Sequence, residues 1–124
     1  MIVGVGMDMI EVERVLEKVR KPNGFREKIF SPVEIAYCEA QPKPAESYAA
    51  RFAAKEAFLK ATGQGLLLGY ELAEIEVVTD ENGRPSLNLL GNFKAIARQN
   101  NWNKIHLSLS HLQHVACAVV ILEQ

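Results

Sequence analysis

Asp8 stands in the run IVGVGMDMI, among apolar residues and two glycines. A carboxylate there is costly to bury unless a cation or several donors face it. The glycines leave room for a ligand or another backbone to come close. A second charged cluster lies in RFAAKEAFLKATGQG, residues 51–65. On a helical wheel at about 100° per residue, Arg51 and Lys55 form one charged stripe, and Glu56 and Lys60 a second. Phe52 and Leu59 fall between the stripes, while Ala53, Ala54, Ala57 and Ala61 share the remaining face. A solvated helix does not usually place two large apolar side chains between its charges, so this one reads as wedged, with charge on both flanks. If Asp8 and Glu56 converge, they suit a hard divalent cation, since two carboxylates plus substrate phosphates is a usual magnesium arrangement. Two plainer readings stay open from the residues alone. Asp8 ends a strand and caps the next helix, and Glu56–Lys60 is an ordinary i,i+4 pair worth a few tenths of a kcal/mol.

Two further clusters have chemical potential. HLSLSH, residues 106–111, puts His106, Ser108 and Ser110 on one face of a strand, with His111 beginning a turn. Hydroxyls and imidazole at a strand end suit phosphate. A serine hydrolase lacks its elbow motif here, and the polar outer face of an edge strand is the better reading of this stretch alone. Arg14, Lys18 and Lys21 recur at i, i+4 and i+7, on one face of an expected helix. Arg26 and Lys28 follow, while Glu13 and Glu17 lie off that face. The stripe is either a solvated face or a docking surface for an acidic partner.

The elements that must position these residues follow from periodicity and punctuation. A strand is expected over 2–10 and a helix over the following IEVERVLEKVR, stopped by Pro22-Asn23-Gly24. Ser31-Pro32-Val33-Glu34 is a capping box with proline at the first helical position, opening a helix to about residue 40. A long helix is expected over 46–62, with Gly63 as its stop. Two strands flank DENGRP, where Asn82-Gly83 signals a hairpin. A short helix over 92–99 precedes strands over 104–110 and 115–122, paired through the HLQH turn. Helices packed on a largely antiparallel sheet make an α+β fold, in one domain spanning 1–124. The strand order is not readable.

Composition narrows the classes. An apolar fraction of 48% is that of a globular chain. A net charge of -1 gives no global basic field for nucleic acid. Cys38 and Cys117 form neither a disulfide framework nor a zinc motif, which suits a reduced, cytoplasmic protein. The N-terminus lacks a signal-peptide pattern, and no apolar stretch is long enough to span a membrane.

Together these blocks make the chain resemble the holo-[acyl-carrier-protein] synthase family, the short 4′-phosphopantetheinyl transferases. The resemblance covers nearly the whole length. It is carried by GVGMDMIEVERV at 4–15, RFAAKEAFLKATGQG at 51–65, NGRP at 82–85 and HLSLSHLQHVACAVVILE at 106–123. The first two blocks, in this order and at this separation, are highly specific. The resemblance implies transfer of the phosphopantetheine arm of coenzyme A to a serine of apo-acyl-carrier protein, with release of 3′,5′-ADP. It implies that Asp8 and Glu56 match magnesium ligands and Lys60 a lysine on the pyrophosphate. Arg51 and His111 match residues that hold the nucleotide's phosphates, and Gly83, Arg84 and Pro85 match a segment lining the adenine pocket. Arg14, Lys21, Phe25 and Phe52 match carrier-protein positions. It further implies a homotrimer with active sites between subunits and a role in fatty-acid biosynthesis. Pro22 and Gly24 depart from the pattern, standing where relatives often present side chains to the carrier protein. A non-catalytic binding module on the same fold is the competing reading, and the presence of Asp8, Glu56 and Lys60 together favours the enzyme. Lys55 has no assigned contact at this stage.

Overall fold

The computed structural model describes residues 1–64 and 70–124. In chain order, β1 is Ile2–Glu11, α1 Val12–Arg20, α2 Phe25–Ile29, α3 Pro32–Glu39 and α4 Pro44–Thr62. A 3-10 turn at Leu72–Glu74 leads into β2, Ile75–Thr79, followed by β3, Pro85–Leu89. Then come α5, Gly91–Gln99, β4, Lys104–His111, and β5, Val115–Glu123. The strands make two antiparallel sheets, one ordered β1-β5-β4 and one formed by β2 and β3. The α+β expectation holds, with the strands divided between two sheets.

α4 is the spine of the molecule. Its small face lies on β1, where Gly6 meets the Ala57 carbonyl and Gly4 meets that of Ala61. A Cβ at either glycine would overlap those oxygens. The glycines around Asp8 therefore admit a backbone, the helix itself. Ala53, Ala54 and Ala57 are fully buried beneath it, and Phe58 packs edge-to-face on Phe93 and Trp102. Truncating a ring so buried costs about 3–5 kcal/mol.

The local signals for the helix ends held in detail. Ser31 Oγ accepts from the Glu34 N–H, and Glu34 Oε1 accepts from the Ser31 N–H, closing the capping box. α4 starts two residues before the expected 46 because Pro44 takes the first turn, where its missing N–H costs nothing. It ends at Gly63, whose φ is 66°. Gly65, the last residue of the quoted motif, lies outside the described residues.

Three expectations need correction. α2 was not anticipated, because five residues are too few to show a helical period. Lys21 lies outside α1: its ψ of 135° is extended, as the following Pro22 requires. The i, i+4, i+7 stripe therefore stops at Lys18. Finally, Arg51 and Lys55 do not form an exposed flank of α4, for both are buried.

Candidate active site

Asp8 sits mid-strand in β1, three residues short of its end. It caps nothing, since Glu11 holds the N-cap position of α1 and makes no side-chain capping bond. Its partner is on α4. Lys60 Nζ donates to Asp8 Oδ1 at 2.9 Å and to the Met7 carbonyl at 3.1 Å. Glu56, one turn earlier on α4, faces the same groove of about 440 Å³ as Asp8. Partial burial first, and then the Asp8 charge, push the Glu56 carboxyl above the usual carboxylate range, while Lys60 and Lys18 pull the other way.

Two carboxylates facing one groove, with the charge of Asp8 disfavouring that of Glu56, are a donor set suited to a divalent cation. Among the described residues no group of three or more candidate metal ligands gathers. An ion on Asp8 and Glu56 would draw its remaining oxygens from water or substrate, as magnesium commonly does in phosphoryl transfer.

The walls of this groove are basic and aromatic. Arg14, Lys18, Phe25 and Phe52 line it with Asp8 and Glu56. The Phe25 and Phe52 rings lie 6.4 Å apart, and Lys18 Nζ stands 5.9 Å from the Phe25 centroid. Three of the four expected docking residues are thus beside the carboxylates. Lys21 is not; it lines a separate hollow with Arg20 and Arg26. Lys18, read in the sequence only as part of the stripe, is a wall of the groove.

A second pocket, of about 210 Å³, opens on the other side of α4. It brings together Arg51, Gly83, Pro85 and His111, with Tyr37, Ser47 and Thr79 beside them. Arg51 Nη2 donates to Thr79 Oγ1 at 2.9 Å, and the guanidinium lies 4.0 Å from the Tyr37 ring centroid. Arg51 Nε is buried with no partner, alone in this among the described residues. Buried donors seldom go unpaired, and the guanidinium keeps its one side-chain bond through Nη2. His111 Nδ1 is 2.9 Å from Glu46 Oε1, which fixes the ring and frees Nε2 for another group. Lys43, Glu46 and His111 line an adjoining hollow. Gly83, at φ 82°, makes the turn possible. Arg84 stays outside: it is exposed, and its N–H donates to Asp80 Oδ1 at 2.9 Å.

Sequence reasoning missed Tyr37 and Thr79. Each is distant in sequence from Arg51, and nothing local marks either. The polar reading of β4 is upheld, with His106, Ser108 and Ser110 exposed and His106 paired with Glu123. Ser110 and His111 project to opposite faces of the strand, which leaves a Ser–His hydrolase without its geometry.

The comparisons with known proteins agree along the whole chain. The sequence model of the 4′-phosphopantetheinyl transferase superfamily matches residues 4–120. The holo-[acyl-carrier-protein] synthase of Syntrophus aciditrophicus is 47% identical over 125 residues, covering 99% of this chain and 97% of its own. The solved structure of holo-[acyl-carrier-protein] synthase from Neisseria meningitidis superposes with a TM-score of 0.88 at 28% identity, over 100% of both chains. That of a holo-(acyl-carrier-protein) synthase from Bacillus anthracis, in complex with CoA (3′,5′-ADP), gives 0.79 at 34% identity, over 98% of this chain and 96% of its own.

Proposed function

The chain belongs to the 4′-phosphopantetheinyl transferase superfamily, as an enzyme of the holo-[acyl-carrier-protein] synthase type, and on that premise we propose how its two pockets divide the reaction. The 1–124 chain acts as one domain. The pocket of Arg51, Gly83, Pro85 and His111 takes the nucleotide half of coenzyme A, with Arg84 on the turn at its rim. The groove of Asp8 and Glu56 takes the pyrophosphate and the carrier-protein serine. The observation that carries this reading is the meeting of Asp8, Glu56 and Lys60 at a groove walled by Arg14, Lys18, Phe25 and Phe52.

The serine oxygen attacks the phosphorus that bears the pantetheine arm. A new phosphorus–oxygen bond forms, the bridging bond of the pyrophosphate breaks, and 3′,5′-ADP leaves with the electron pair. Asp8 and Glu56 would hold magnesium, which supplies charge neutralisation on the pyrophosphate oxygens when bound. Lys60 adds a mobile point charge for the charge growing on the leaving group. Glu56, facing the groove that would admit the serine, takes the serine proton directly or through a water. Arg51 and His111 anchor the far phosphates, so binding energy remote from the reacting centre orients it. Acyl-carrier proteins are acidic. Arg14 and Lys18 meet that charge at the groove, Lys21 meets it further along, and Phe25 and Phe52 supply apolar contact.

A homotrimer with sites between subunits fits the open face of the three-stranded sheet. Val5, Met7 and Met9 are about 60% exposed there, in register with Ile121, Val119 and Cys117. A contiguous apolar face of this kind marks an interface. Sedimentation giving a monomer would overturn this part. No helix among the described residues is long and apolar enough to cross a membrane, and we place the enzyme in the cytoplasm, serving fatty-acid biosynthesis. The function is tested by incubating the protein with coenzyme A, magnesium and apo-acyl-carrier protein. The expected products are holo-carrier protein and 3′,5′-ADP in equal amounts. Coenzyme A binding without either product would leave only the binding module.

A further inference from the structure

Glu34 and Lys55 form a fully buried ion pair, with Lys55 Nζ donating to Glu34 Oε1 at 2.7 Å. Neither residue touches the two pockets described above. Every polar atom of the pair is hydrogen-bonded. Lys55 also donates to the carbonyls of Ile75, at 2.6 Å, and Leu72, at 2.9 Å. Those are three bonds for the three protons of an ammonium. Glu34 Oε1 accepts from the Ser31 N–H, and Oε2 accepts from the Val77 N–H at 3.0 Å.

The partners on β2 are informative. Ile75 C=O and Val77 N–H belong to the edge of β2 that faces away from β3, the edge an additional strand would pair. A side-chain zwitterion from α3 and α4 takes the place of that strand. The β2–β3 hairpin is a separate sheet, not hydrogen-bonded to β1, β4 or β5 through its strands. Its polar attachments to α4 are this pair at the start of β2 and the Arg51–Thr79 bond at its end. Arg51 and Lys55 are one helical turn apart on α4. Ile75 and Thr79 are the two ends of β2. The hairpin is thereby pinned along the helix at both ends, and its turn delivers Gly83 and Pro85 to the pocket that Arg51 lines.

The geometry points to Glu34 and Lys55 as positioning residues for the nucleotide half of the substrate. By docking the free edge of β2 onto α4, the pair sets the gap between Arg51 and the 80–85 turn. This inference rests on the proposed use of that pocket for the nucleotide.

The test compares Lys55→Met and Glu34→Gln with wild type. Lys55→Met removes all three donors. Glu34→Gln removes the charge and replaces one of the two acceptor oxygens with a donor. Both variants are expected to raise KM for coenzyme A and Kd for 3′,5′-ADP about tenfold, with kcat within about threefold of wild type. Amide hydrogen exchange should quicken more across residues 75–89 than in β1 and β5. An unchanged KM, or exchange quickened equally in all strands, would overturn the proposal. If Lys55→Met does not fold, Glu34→Gln yields the same two readings. Wild-type protein that bound no 3′,5′-ADP would overturn the nucleotide reading itself. Exchange quickened only in the hairpin would still identify the clamp, so the two failures are told apart.

Discussion

Lys55 and Lys60 stand five residues apart on one helix, and each is paired with a carboxylate from a different element. Lys55 has no exposed side-chain surface, and all three of its protons are bonded. Lys60 leaves 57% of its side chain exposed and makes two bonds, one to Asp8 and one to a carbonyl. Burial pushes the Lys55 ammonium below its usual range, and Glu34 opposes that push. Near Lys60 the perturbed group is a carboxyl, Glu56, pushed upward. A charge pair that is saturated and dry has one arrangement and holds structure. A pair that is half-wet and undersaturated is free to exchange partners, as chemistry on a charged substrate requires. Residue type and ion pairing are alike in the two cases, and solvent access and spare valence separate them.

That contrast can be broken experimentally, with the largest effect at the undersaturated end. Asp8→Asn or Glu56→Gln is expected to cut magnesium-dependent transfer by about a thousandfold or more, with circular dichroism unchanged. Transfer undiminished in both variants would remove the metal assignment. Lys60→Ala should lower kcat about a hundredfold, since the lysine acts on developing charge. A raised KM with kcat intact would make it a binding residue instead.

At the saturated end the expected loss is of stability. Lys55→Met leaves Glu34 uncompensated, and denaturant unfolding should show a loss of about 3–5 kcal/mol. Lys60→Ala should cost less than about 1 kcal/mol by the same measurement, as exposed pairs do. Equal losses would erase the distinction between the two lysines. The smallest effect is on thermal stability. The folded Glu56 carboxyl holds its proton more tightly than in the unfolded chain, so ionising it costs the folded state, and stability falls as pH rises from the usual carboxylate range toward the raised value. Glu56→Gln should therefore raise Tm near neutral pH, and the gain should vanish below the ordinary carboxylate pKa. A gain independent of pH would assign the effect to packing.

Much of this was legible in the sequence because the signals were local. The capping box at Ser31, the glycine stop at Gly63 and the Asn82-Gly83 hairpin each fix their own backbone. The pairing of Asp8 with the second charged stripe of α4 was also within reach, from a costly acid and an odd wheel. The wheel misled at Arg51 and Lys55. Periodicity gives angles around a helix and says nothing of what covers them, so Glu34 over Lys55, and Tyr37 and Thr79 over Arg51, turned a charged stripe into core. Lys21 left its stripe because the wheel ignored the constraint that Pro22 places on the residue before it. Tyr37, Thr79 and the edge of β2 depend on contacts between distant segments, and single-sequence patterns do not carry those. The open face of β1 lies between these cases. Its alternation of Val5, Met7 and Met9 is visible in the sequence, but which side faces α4 is known only once Gly4 and Gly6 are seen against it.

The central claim is that Asp8 and Glu56 of this chain carry phosphopantetheinyl transfer. It is tested by the intact mass of an acyl-carrier protein incubated with coenzyme A, magnesium and either wild type, Asp8→Asn or Glu56→Gln. The account predicts that wild type adds one phosphopantetheine group, that a chelator stops the addition, and that neither variant supports it at comparable enzyme concentration. Complete conversion by both variants, or by wild type in excess chelator, would contradict it.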